Sequence, residues 1–170
     1  MLTEIDCTIE NLVGGLRMNT LRIFLTVVFG WSFLKTTSLL IRPDSMDLII
    51  LSKAGLSWCF WLVIPAIALG QAVALVYLWM PSRTLYRIAQ SSVCLDVAET
   101  IFASGIAAAN PSIAKEAFVT SRISRGLPVR DEILQMMDNP VAQMWPVCFT
   151  LGFGLLWLYL LYRFNTIPNN

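Results

Sequence analysis

Between Lys53 and Arg83 the chain runs twenty-nine residues without a charge, and from Leu56 to Met80 almost every side chain is apolar. A helix rises about 1.5 Å per residue and a bilayer's hydrocarbon core is about 30 Å thick, so roughly 20 apolar residues suffice to cross it. The pattern predicts a span over 56–80, with Trp58, Phe60 and Trp61 near one end and Tyr77 and Trp79 near the other as interfacial anchors. Pro65 lies inside it, and Gln71 is its only strongly polar side chain. A lone Gln in a span is expected to hydrogen-bond a neighbouring helix.

Two further stretches read the same way. Residues 23–41 lie between Arg22 and Arg42 and are interrupted only by Lys35. Seven residues, about 10 Å of axis, separate Lys35 from Arg42, within reach of a side chain that returns its ammonium to the interface. The last span, 144–162, has Trp145 at one end and Trp157, Tyr159 and Tyr162 toward the other, and Arg163 closes it.

The segment 88–109 would be a fourth span without Asp96 and Glu99. An Asp at the centre of an isolated helix costs about 2.5–3.5 kcal/mol to insert, while each Leu or Ile returns about 0.3–0.6. The segment is therefore a conditional span or a surface helix. Charge points the same way. With three spans, the amino-terminal side and the 81–140 connection together hold Arg17, Arg22, Arg83, Arg87, Lys115, Arg122, Arg125 and Arg130, against Arg42, Lys53 and Arg163 opposite. That asymmetry puts the amino terminus in the cytoplasm. With four spans the bases divide five against six and favour neither orientation.

Outside the spans, Leu2, Ile5, Ile9, Leu12 and Leu16 form one stripe of an amphipathic helix over 1–16, with Gly14-Gly15 as its expected stop. Its polar face carries Glu4, Asp6 and Glu10, so the stripe is better suited to protein than to anionic lipid. The connection 110–140 predicts two short cytoplasmic helices, 112–125 and 129–138, the second with Asp131 and Glu132 in its first turn. The expected fold is an all-α integral membrane protein of three transmembrane helices plus a conditional fourth, with short amphipathic helices, in a single membrane unit.

Composition narrows the chemistry. The chain is 56% hydrophobic and 14% charged, with a net charge of +1, which gives no field for nucleic acid. It contains no histidine, the usual general base and a common metal ligand. Cys7, Cys59, Cys94 and Cys148 form no C-x-x-C pair, so spacing signals neither a redox site nor a zinc cluster. No catalytic residue, metal site or cofactor is expected. The acidic opening residues match neither a secretory signal nor a transit peptide, and a bacterial inner membrane is the first expectation, an organelle membrane the second.

The candidate intramembrane polar or interaction residues are Asp96, Glu99, Gln71 and Lys35. Asp96 and Glu99 stand three apart, near enough on a helix to share a cation. Ala103, Ser104 and Gly105, followed four positions later by Ala107, Ala108 and Ala109, offer small-x-x-x-small pairs for close helix contact. The run RIFLTVVFGWSFLK, with Arg22, Phe29 and Lys35, resembles the opening helix of the DoxX-like four-helix membrane proteins. The likeness covers fourteen of 170 residues, and no function is carried across from it.

These features lead to a non-catalytic accessory or assembly component of a larger membrane complex, with other membrane protein subunits and the lipid bilayer as partners and no nucleic acid. One alternative is an ion or proton conductor using Asp96 and Glu99. Another is an immunity or exclusion factor against a foreign pore or transfer apparatus. After alkaline carbonate washing the chain should stay with the membrane pellet; its recovery in the aqueous fraction would overturn the spans.

Overall fold

The computed structural model describes residues 2–42 and 44–166, with side chains described from Asn19 onward apart from 140–144. Seven helices follow in order: α1 (Leu2–Ile41), α2 (Met46–Lys53), α3 (Ser57–Trp79), α4 (Arg83–Ala109), α5 (Pro111–Ser124), α6 (Asp131–Met136) and α7 (Pro140–Thr166). Local chemistry sets their ends. The Ser45 hydroxyl accepts from the Leu48 amide at 3.4 Å to start α2, and the Ser82 hydroxyl accepts from the Leu85 amide at 3.2 Å to start α4. Gly55, at φ +75°, turns the chain after α2, and Gly126, at φ +65°, does so after α5.

The first helix departs from expectation. It is helical from Leu2 to Ile41 without the stop expected at Gly14-Gly15. Glycine inside a helix costs about 1 kcal/mol, which weakens a helix but does not by itself end one. The apolar stripe of residues 1–16 belongs to side chains outside those described.

Apolar clusters fix how the long helices run. One joins Leu25 and Phe29 of α1, Ala74, Tyr77 and Leu78 of α3, Ala89 and Val93 of α4, and Leu161 and Phe164 of α7. A second joins Leu39 and Leu40 to Phe60, Ile64 and Ile67, and to Leu95 and Ile106. Residue numbers rise from the first cluster to the second in α1 and α4, and fall in α3. The late α7 residues lie at the first cluster, so the four helices run up, down, up, down. At the first end, Arg22 lies 5.7 Å from the ring centres of both Trp79 and Phe164, and the Tyr77 hydroxyl donates to Asn165 Oδ1 at 3.2 Å.

At the other end α2 and α5 form a cap. Ile50, Ala107, Ala114 and Ala117 pack together there, joined by the Lys53–Glu116 ion pair at 2.5 Å and a hydrogen bond from the Ser124 hydroxyl to Asp44. The small-residue face of α4 is partly used in this way. Ala103 and Ala107 are buried, Ser104 and Ala108 half-buried, and Gly105 and Ala109 exposed. The closest approach of long helices lies elsewhere. A Cβ on Gly70 of α3 would overlap the Cβ of Ser92 on α4, and one on Gly154 of α7 would lie 2.5 Å from a methyl of Val97.

The outward faces of the long helices display large apolar side chains. Trp31, Leu34, Leu62, Leu69 and Leu155 are each more than 60% exposed, a display that a water-soluble monomer rarely makes. Four helical stretches, Asn19–Ile41, Ser57–Trp79, Arg83–Ala109 and Trp145–Thr166, are long and apolar enough to cross a membrane. The conditional fourth is thus present as a helix, and its physical reason is packing. It lies between α3 and α7, so Asp96 and Glu99 need not face lipid.

Gly70→Ala should lower stability by about 1–3 kcal/mol by overpacking the α3–α4 contact, whereas Gly105→Ala, with open space around it, should not. Thermal unfolding of the two variants in detergent reads the difference. Equal midpoints would mean that α3 and α4 do not approach at Gly70.

Candidate functional site

Polar side chains in a bundle of apolar helices must either find partners or share a water-sized space. Here they do both. A cavity of about 210 Å³ lies among the four long helices, lined on its polar side by Ser32 and Lys35 of α1, Gln71 of α3, Ser92 and Asp96 of α4, and Thr150 of α7. Phe29, Phe149, Phe153 and Trp157 form the apolar wall. Asp96 stands thirteen residues from either end of α4, about 20 Å of axis each way, at the middle of the helix.

Gln71 is 3% exposed. Its Nε2 donates to Ser32 Oγ at 2.8 Å, an α3–α1 bond, while its Oε1 is buried without a partner among the described residues. The Ser92 hydroxyl is spent on the Ala89 carbonyl at 2.8 Å. Gly70 and Gly154, which bring α3 and α7 close to α4, flank this level of the bundle, so the tight contacts and the cavity are neighbours.

The structure brings Lys35, Gln71 and Asp96 together at the cavity and sets Glu99 next to it, three residues further toward the α2 end. Lys35 is exposed and lines the cavity, and its charge acts on Asp96, Glu99 and Asp47. The ion pairs formed among the described residues are Lys53–Glu116 and Lys115–Asp138, so Lys35 is in Coulombic reach of three carboxylates and bound tightly to none. Glu99 Oε1 and Thr37 Oγ1, both toward the α2 end, are buried without hydrogen bonds. The small residues from Ala103 to Ala109 take no part in the cavity.

Sequence reasoning missed Asp47, Ser32 and Thr150. Asp47 sits in the first turn of α2 beside its capping serine, where an acid ordinarily serves the helix dipole. In the fold it faces inward and extends the line Asp96, Glu99 toward the cap, each member acting electrostatically on the next. A hydroxyl in a span carries no signal of its own, so Ser32 and Thr150 were not separable from ordinary span residues.

Among the described residues, no group of three or more Cys, Asp or Glu side chains converges to hold a metal ion. The arrangement offers instead three carboxyl groups in electrostatic reach of one lysine, with Asp96 and Lys35 lining the cavity. Comparison with protein families, with curated proteins and with solved structures gives no match. The chemistry of the cavity is therefore the ground for a functional reading.

Burial pushes the Asp47 carboxyl above its ordinary value of 3.8, and the attraction of Lys35 offsets this only in part. An acid whose folded pKa is raised holds its proton more firmly folded than unfolded. Its charged form therefore costs stability as pH rises past 3.8, in full above the folded value. Asp47→Asn should accordingly be the more stable protein at about pH 8, with the gap closing below about pH 4. Unfolding midpoints across that range test the sign; a variant less stable at the alkaline end would mean that Lys35 outweighs burial.

Proposed function

We propose that this protein is an integral membrane bundle that conducts protons or small cations through its polar interior, with Asp96 and Glu99 as the working carboxylates. The observation that carries this reading is the placement of Asp96 at the middle of α4, facing a cavity shared with Lys35 and the unpartnered Gln71 Oε1. An ionisable residue at that depth is costly and is usually retained for function. Glu99 and Asp47 then supply a path from the cavity toward the α2 cap. Toward the opposite end Leu25, Phe29, Val93 and Leu161 pack in a buried apolar cluster, the layer that a crossing proton has to pass.

A second reading, the accessory or assembly component, is favoured by the length of α1. Its 40 residues exceed the 23 of α3, and the surplus carries the apolar stripe Leu2, Ile5, Ile9, Leu12 and Leu16. Such an arm suits another membrane subunit. We place the protein in a bacterial inner membrane; with four crossings the cytoplasmic amino terminus loses the charge asymmetry that three crossings give it.

Purified protein in lipid vesicles should collapse an imposed pH gradient, read with an enclosed pH-sensitive dye. Asp96→Asn should reduce the rate to that of protein-free vesicles, and Asp96→Glu should retain part of it. No flux from the parent chain, with membrane subunits co-purifying after mild solubilisation, would favour the accessory role instead.

A further inference from the structure

Charge is divided unequally between the two ends of the bundle. At the α2 end, residues 42–53 and 115–138 hold six Lys and Arg against six Asp and Glu, and two pairs form directly, Lys53 with Glu116 and Lys115 with Asp138. The opposite end is made of the start of the α1 span, the turn from α3 into α4 and the close of α7. Residues 19–25, 77–90 and 159–166 carry Arg22, Arg83, Arg87 and Arg163 there, and no acid. None of these four arginines forms an ion pair among the described residues. The nearest acid to Arg22 along α1 is Glu10, twelve residues and about 18 Å of axis away.

Arg22 is the member of this group that the fold holds in place. Its guanidinium lies 5.7 Å from the ring centres of both Trp79 and Phe164, and its Nε is buried with no hydrogen-bond partner among the described residues. The two rings fix the cation by its attraction to their faces but offer it no oxygen. A guanidinium presents five N–H donors in a rigid fork that matches two oxygens of a phosphate. What the site lacks is an anion.

Depth decides where that anion comes from. Trp79 is the last residue of α3 and Phe164 stands two residues from the end of α7, so Arg22 lies where the spans finish, at the level of lipid headgroups. At the same end Trp79, Met80, Tyr159 and Tyr162 are each more than half exposed, a rim that acyl chains would cover. A free phosphate would use the arginines and leave this rim bare, whereas a lipid uses both. A zwitterionic headgroup brings a cation of its own against four uncompensated arginines; an acidic one does not.

We propose that the arginine end of the bundle binds an acidic phospholipid, its phosphate taken by the Arg22 guanidinium and its acyl chains lying along the aromatic rim. Arg83, Arg87 and Arg163 supply the field that selects a net negative headgroup. The site is separate from the cavity and does not depend on conduction.

The test is native mass spectrometry of the purified full chain in a non-ionic detergent, titrated with dioleoyl phosphatidylglycerol and in parallel with dioleoyl phosphatidylcholine. The phosphatidylglycerol should bind saturably and roughly tenfold or more tighter than the phosphatidylcholine. Arg22→Gln should lose about tenfold in its affinity, the worth of one hydrogen bond to a charged group. Arg163→Gln, at an exposed position, should also weaken it and keeps the test open if the Arg22 variant does not fold. Arg130→Gln, exposed at the other end, and Asp96→Asn should both bind as the parent does. Equal retention of the two lipids, unchanged binding in both Arg22→Gln and Arg163→Gln, or an equal loss in Arg130→Gln would overturn the assignment. So would inorganic phosphate alone raising the unfolding midpoint as far as phosphatidylglycerol does, since the ligand would then be a free anion.

Discussion

A carboxylate halfway along a helix in hydrocarbon is tolerable only where neighbouring helices keep lipid away from it. α4, one of four helices long and apolar enough to cross a membrane, carries such an acid at Asp96. α4 must have a helix on either side, and α3 and α7 supply them. The contacts must be tight at the level of the acid, and Gly70 against Ser92 and Gly154 against Val97 make them so. The small residues are thus spent on enclosing charge. Once enclosed, the acid needs electrostatic company, and Lys35 on α1 provides it from the open side.

How far this was legible in the sequence depended on whether a feature is local. The span over 56–80 is set by composition alone, and the helix Ser57–Trp79 differs from it by one residue at each end. The segment 88–109 was not decided by composition, because the cost of inserting an acid refers to a helix surrounded by lipid. Arg83–Ala109 forms beside two neighbours that change that reference. The stop expected at Gly14-Gly15 failed for the opposite reason: glycine is a weak local signal that a long helical context absorbs.

The site was half legible on the same logic. Lys35, Gln71 and Asp96 stand out because each is polar in an apolar run, and the fold gathers them at one cavity. Asp47 did not stand out, since an acid after a capping serine has a sufficient local explanation, and its role depends on α1 and α4. Close helix contact was sought in the row from Ala103 to Ala109, where spacing suggested it. Gly70 and Gly154, where any side chain would overlap a neighbouring helix, are single glycines whose partners lie on another helix, so no spacing rule reaches them.

One further property follows from how α1 and α7 are joined. Near the first apolar cluster, Arg22 bridges α1 to Phe164 and Trp79, and Trp157 packs on Phe24 and Phe29 with centroids 6.3 and 6.4 Å away. Backbone contact between the two helices is otherwise sparse. α1 and α7 are therefore seated in the bundle through α3 and α4 respectively, and the ring of long helices is stitched most lightly along the seam where α1 meets α7.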